Sequence, residues 1–135
     1  MGTMLQRAGL SEADYRGTRL ADHPGDLRGN HDLLALTRPD VLRDIHGQYL
    51  AAGADIIETS TFPATSLGQE EYRTTALVGE INRTAAQLAR EIADQHETAD
   101  RPRFVAGVLG PTSRTASLSP RVDEPAYRNV PFTQL

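Results

Sequence analysis

The sequence contains no cysteine and no tryptophan among its 135 residues. The absence of cysteine excludes disulfide bonds, thiolate nucleophiles and every zinc site that is built from thiolate ligands. It also agrees with a reducing compartment, so we expect a cytoplasmic location.

Long apolar runs are also absent. No segment approaches the roughly 18 consecutive apolar residues of a membrane-spanning helix, and the polar Gln6 and Arg7 follow Met1 too closely for a signal peptide. The net charge of -4 combines both signs, the basic residues form no stripe, and the three Phe and four Tyr are scattered. We therefore expect neither membrane insertion nor nucleic-acid binding. A chain of this length forms one domain or a piece of a larger one.

Helix signals follow a loop that spans Gly17 to Gly29. Asn30 is in position to cap a short helix through Leu36. Thr37 and Pro39 predict the start of a second helix, with a capping hydroxyl and a proline in the first turn. Gly53 predicts its end. Between these limits apolar residues recur at helical spacing: Val41, Leu42, Ile45, Tyr49 and Leu50.

Two strands alternate with helices in the remaining chain. The first predicted strand is Asp55 to Glu58, and apolar periodicity then predicts a long helix over Thr74 to Gln95. The second predicted strand, Arg103 to Leu109, is an apolar run typical of a buried parallel strand. Phe132 to Leu135 would open the next helix. The order helix, strand, helix, strand predicts an α/β fold with a parallel sheet.

Both predicted strands end in polar, hydroxyl-rich segments. Glu58 to Phe62 reads ETSTF, and Gly110 to Thr115 reads GPTSRT. Ligands of parallel α/β folds bind at the carboxyl ends of the strands, so these two segments are expected to converge on one pocket. The plainer interpretation is that their hydroxyls only form turns and cap the next helices.

Several segments together resemble the homocysteine-binding domain of cobalamin-dependent methionine synthases. ADIIET-x-TF and GPT-x-RTAS carry the resemblance jointly, and it extends almost from end to end with a variable stretch at residues 7–28. The matching segments are MGTMLQ (1–6), GNHDLL (29–34), PDVLRDIHGQYLAAGADIIETSTF (39–62), FVAGVLGPTSRTASLSP (104–120) and RNVPFTQL (128–135).

The resemblance implies a (β/α)₈ TIM barrel that binds zinc through three cysteines, holds homocysteine as a thiolate and methylates it from cobalamin. A full barrel needs about 250 residues. The family pattern places an Asp-Gly-Ala and the first strand before Met1, and its cysteines beyond Leu135. We therefore expect residues 1–135 to be an incomplete barrel, roughly the first half without the first strand, which an incomplete gene model or a disrupted gene would explain. No zinc or cobalamin is expected on this fragment, since both belong to the full-length family.

The resemblance also implies which residues bind homocysteine. Glu58, Thr59 and Thr61 stand where the first predicted strand of this chain meets the pocket, and Thr59 would hold the amino-acid end of the substrate. Gly110 and Thr112 would add a close backbone approach and a hydroxyl from the second loop. The alternatives are that Glu58 only braces the barrel interior and that the second loop is a tight turn without ligand contacts.

The evidence for a role at the predicted site is weaker for other polar residues. Ser60 replaces an asparagine that is common in the family. Arg114 could meet a carboxylate or a folate-domain partner, although an exposed arginine is more often solvated. The four histidines have no metal-binding spacing, so we predict neither a metal site nor a catalytic residue in this chain.

Three functions remain in competition. The first is a fragment of a methionine synthase, whose partners would be homocysteine and the folate and cobalamin domains of the full enzyme. The second is a non-catalytic binding or assembly module derived from the half-barrel. The third is part of a cobalamin-independent homocysteine methyltransferase. The RTAS and GNHDLL segments favour the first.

Alone, the chain is expected to be inactive, and its open sheet edges predict aggregation, self-association or a molten state.

Overall fold

The computed structural model describes residues 1–112, 114 and 116–134 of the chain. Helices pack against one face of a two-stranded sheet, so the predicted α/β class is confirmed. The helices are α1 (Gly2–Arg7), α2 (Glu12–Arg16), α3 (Leu34–Thr37), α4 (Pro39–Ala51), α5 (Ser66–Glu70) and α6 (Val78–His96). The strands are β1 (Ile56–Glu58) and β2 (Phe104–Ala106), and 3₁₀ turns cover His31–Leu33, Thr75–Leu77 and Phe132–Gln134.

Helix α4 ends as the sequence predicts. Gly53 has a φ of 104°, a left-handed conformation that glycine adopts without a steric penalty. Its N–H donates to the carbonyl of Leu50 (3.0 Å), and the N–H of Ala54 donates to the carbonyl of Tyr49 (3.0 Å). This Schellman arrangement satisfies the last carbonyls and turns the chain directly into β1.

The predicted helix caps are wrong. Thr37 lies inside α3 and donates its hydroxyl to the carbonyl of Leu33, so Arg38 occupies the N-cap position of α4 without a side-chain cap. Asn30 does not cap either, because its amide is buried and donates to Gln69 Oε1 at 2.8 Å. Long-range pairing has outcompeted the local cap at this position. Pro39 is in the first turn of α4, as predicted.

Helix α6 begins after a 3₁₀ turn and is close to its predicted range. Its buried side chains recur every three or four residues and face α3, α4 and the sheet. The principal core joins these helices, and a smaller cluster lies under the sheet: Leu50, Ile57, Ala89, Ile92 and Ala93, with Val105 packed against them.

The two strands pair in parallel, as the order of elements predicts. The register places Ile57 opposite Val105 and Glu58 opposite Ala106. Beyond the last pair, the N–H of Thr59 donates to the carbonyl of Ala106 at 2.9 Å. The carboxyl ends of β1 and β2 therefore lie side by side.

Both strands are shorter and less buried than predicted. Helices cover one face of the sheet, so Ile57 is buried whereas Ile56 is 61% exposed and Phe104 is 54% exposed. The prediction of a fully buried second strand is wrong because its other face has no covering layer in the described part of the chain.

The described residues after β2 form little regular structure. The predicted helix start at Phe132 is a 3₁₀ turn through Gln134, and Leu135 lies outside the described residues. Within those residues, no helix combines the length and the apolar character that crossing a membrane requires.

Candidate functional site

A cavity of about 400 Å³ opens at the carboxyl ends of the two strands. One wall is the segment after β1, one is the start of α1, and a third comes from the turn before α3. Val108 closes it on the side of β2. The lining residues include Met1, Gly2, Leu5, Gly29, His31, Asp32, Glu58, Thr59, Ser60, Thr61, Phe62, Pro63 and Val108.

A ring of hydrogen bonds joins the two strand ends beside this cavity. The N–H of Val108 donates to Thr59 Oγ1 (3.0 Å), and Thr61 Oγ1 donates to the carbonyl of Val108 (2.9 Å). The two threonine oxygens are 2.8 Å apart. Both threonines are buried. The two strand ends thus meet through the backbone of Val108, which belongs to the second predicted strand and not to the hydroxyl-rich segment Gly110 to Thr115.

The ring determines what the two hydroxyls can still do. A carbonyl only accepts, so the proton of Thr61 is used on Val108. The bond between the threonines must then use the proton of Thr59. Each oxygen keeps one free acceptor position and neither has a proton to give. The threonine pair can therefore bind a hydrogen-bond donor, and it cannot donate to a carboxylate without breaking the ring.

The other predicted residues of the first segment also lie at the cavity. Glu58 lines it with an exposed side chain, and Ser60 lines it while buried. Glu58 also borders a second cavity of about 310 Å³, at the side of β1 that faces α1 and α4.

The second loop contributes less directly. Among the described residues of this loop, Val108 lines the cavity, whereas Gly110 and Thr112 lie outside the lining. Gly110 packs against Phe62, and a Cβ at this glycine would approach the Phe62 ring to 2.9 Å. The hydroxyl of Thr112 donates to the carbonyl of Arg114. Ser113 and Thr115 lie outside the described residues.

Arg114 is not simply solvated. Its guanidinium forms an ion pair with Glu70 at 2.7 Å and connects the second loop to α5. This pair lies at the surface, where it contributes little to stability.

Asp32 is a candidate site residue that the sequence predictions did not include. It is only 2% exposed, it lines the cavity, and its Oδ2 has no hydrogen-bond partner among the described residues. Burial raises the pKa of Asp32 to about 7, and backbone hydrogen bonds from Phe62 and Ala64 partly offset the rise. The sequence feature that could have indicated this residue is an acid directly before two leucines in GNHDLL.

His46 is the other buried group with an unpaired atom. Its Nε2 has no hydrogen-bond partner in the described part of the chain, and burial lowers the pKa of its imidazole to about 4. It faces the second cavity from α4, next to Tyr49 and Ile56. At this mid-helix position a histidine packs in the interior or lies at the surface, and the structure shows His46 buried.

The described residues do not fit the zinc site that the resemblance implies. No group of three or more His, Asp or Glu side chains in residues 1–112, 114 and 116–134 could hold a metal ion. The sequence also has no thiolate ligand to offer. The cavity is therefore a candidate site for an organic ligand with hydrogen-bond donors.

The family model of homocysteine S-methyltransferases matches residues 1–135, and the chain belongs to this family. Among solved structures, it is similar to the metallated form of the homocysteine methyltransferase MmuM from Escherichia coli, with a TM-score of 0.62 and 23% sequence identity. The match covers 82% of this chain and 35% of that enzyme, so the chain spans about a third of the enzyme's length. At this level of identity the likeness supports the fold alone.

Proposed function

We propose that the chain is the part of a homocysteine S-methyltransferase domain that binds the amino-acid portion of homocysteine. The observation that carries this proposal is the cavity at the joined strand ends, lined by Glu58, Thr59 and Thr61. Membership of the family supplies the substrate class. Gly110 and Thr112 would act from the second loop, Gly110 by allowing it to approach Phe62 closely.

The specific enzyme would be a cobalamin-dependent methionine synthase, in which a methyl group from 5-methyltetrahydrofolate reaches homocysteine through cobalamin. The RTAS and GNHDLL segments support this choice over a cobalamin-independent methyltransferase. A homocysteine thiol near its ordinary pKa is mostly protonated at neutral pH and needs ionisation to attack a methyl group. The described residues contain no group of three or more ligating side chains that could hold a metal ion for that task. The domain would therefore act with polypeptide that supplies the metal ligands and presents the methyl donor.

A titration of the ¹⁵N-labelled chain with L-homocysteine tests the binding function. We expect weak binding, with a dissociation constant in about the millimolar range, because the contacts are few. The amides of residues 58–63 and 29–32 should shift most. Thr59→Val should weaken binding several-fold by removing an acceptor and opening the ring, whereas Thr98→Val, at an exposed position outside the lining, should not.

Two results would count against this function. One is the absence of any shift at the solubility limit of homocysteine, and the other is a set of shifts remote from the cavity. An in-frame Asp-Gly-Ala before Met1 and a Gly-Cys-Cys segment after Leu135 in the genomic sequence would favour the enzyme. Stop codons on both sides would favour the alternative, a non-catalytic binding or assembly module.

A further inference from the structure

We infer that Asp32 receives the α-ammonium group of the amino-acid ligand, whose positive charge favours the ionised form of this buried carboxyl group. The inference rests on the proposed homocysteine-binding function and adds a residue that the family resemblance does not assign. It starts from an unpaired atom: Oδ2 of Asp32 is buried and has no hydrogen-bond partner among the described residues, although Asp32 lines the cavity.

A buried carboxylate oxygen without a partner is unfavourable, since it has lost water and gained nothing in exchange. A ligand that donates to it removes this cost. None of the ion pairs among the described residues includes Asp32, so no described arginine or histidine side chain pairs with its carboxyl group. A cationic ligand in the cavity would supply that positive charge.

The neighbouring groups select the same kind of ligand. Thr59 and Thr61 have used their protons inside the ring and present only acceptor positions. Glu58 adds a second carboxylate at the cavity. These acceptors suit a group with several N–H donors and a positive charge, and a primary ammonium provides three. A metal ion fits less well, because the described residues lack a third ligating side chain here.

The local structure holds Asp32 in this position. The residue lies on the 3₁₀ turn before α3, whose next residues, Leu33 and Leu34, are fully buried in the helical core. Asn30, two residues earlier, is tied to Gln69 by two amide hydrogen bonds of 2.8 and 3.1 Å. The turn is therefore anchored on both sides of the carboxylate, and a binding group on it is preorganised.

The test compares two ligands that differ only in the ammonium group, L-homocysteine and 4-mercaptobutanoic acid, under reducing conditions. Each is titrated by NMR into the wild-type chain, into Asp32→Asn and into Asp44→Asn, whose aspartate is exposed on α4. The wild type should bind homocysteine about tenfold or more tightly than 4-mercaptobutanoic acid, as expected for a charge-assisted contact. Asp32→Asn should abolish this preference, and Asp44→Asn should keep it.

The outcomes separate this inference from the proposed function. Equal affinity of the wild type for the two ligands overturns the role of Asp32, whatever the variants do, and leaves homocysteine binding in place. A preference that survives in folded Asp32→Asn also overturns it. If neither ligand binds the wild type, the inference and the proposed function fail together.

Discussion

At the scale of single residues, burial shifts the pKa of Asp32 and the pKa of His46 in opposite directions. It raises the pKa of Asp32 from 3.8 to about 7 and lowers that of His46 from 6.5 to about 4, because in both cases it disfavours the charged form. Between about pH 4 and pH 7, folded Asp32 keeps a proton that the unfolded chain has lost, so stability falls as pH rises. Over most of the same window His46 does the reverse, since the unfolded chain holds the extra proton. The two contributions largely cancel in the wild type.

Asp32→Asn should remove the contribution of Asp32 to the pH dependence of stability and leave that of His46. Asparagine keeps the shape of the side chain and cannot ionise, so the loss of stability that Asp32 causes between pH 5 and pH 8 disappears. Relative to the wild type, the variant should gain about 2 to 3 kcal/mol of unfolding free energy over that interval. Urea unfolding at the two pH values measures it, with exposed Asp44→Asn as the control. A variant that changes stability equally at both pH values would show that Asp32 ionises normally.

At the scale of elements, the close approach of the two loops depends on Gly110. A Cβ there would come within 2.9 Å of the Phe62 ring and closer still to the Phe62 carbonyl oxygen, which cannot move without disturbing the segment after β1. The glycine thus brings the chain after β2 against the chain after β1.

Gly110→Ala should destabilise the chain by about 1 to 3 kcal/mol, as expected for overpacking. Gly107→Ala is the matched control, because a Cβ at Gly107 meets nothing within 4 Å. That change should be neutral or slightly stabilising through the unfolded chain. Denaturant unfolding of both variants measures the difference, and equal stability of the two would show that the loops yield to a methyl group at low cost.

At the scale of the whole molecule, the described residues leave one face of the sheet uncovered. Ile56 and Phe104 are largely exposed and paired with each other across the two strands. Large apolar side chains also remain exposed in the segment after β2, at Leu109, Leu118, Val122 and Phe132. Apolar area of this kind favours association, and the two strands have free outer edges in the described structure.

We expect the chain by itself to self-associate through this open face. Ile56→Lys with Phe104→Lys should restore a monomer and keep the helical circular dichroism, because both side chains are exposed. Ile57→Lys, at a buried position on the same strand, should unfold the chain. Sizing chromatography and thermal melts measure these outcomes. A wild-type monomer that melts cooperatively well above room temperature would contradict the expectation and favour the binding-module alternative.

The sequence by itself determined the features that depend on neighbouring residues. Helical periodicity located α4 and α6, Pro39 and Gly53 marked the limits of α4, and the order of elements predicted parallel pairing. Each is a local property of the chain, since periodicity, proline and glycine act within a few residues. The placement of the first hydroxyl-rich segment at a cavity also followed, because parallel strands end at a common edge.

Only the tertiary structure decided which polar groups bond to which. It brought Asp32 to the strand ends, tied Thr59 and Thr61 to the backbone of Val108, and used Asn30 in a buried pair with Gln69 where a helix cap was predicted. These partners are separated by tens of residues, and local patterns carry no information about them. Polar pairing in the interior depends on which groups packing brings within reach and deprives of water. The donor-seeking character of the cavity is therefore a property of the folded chain.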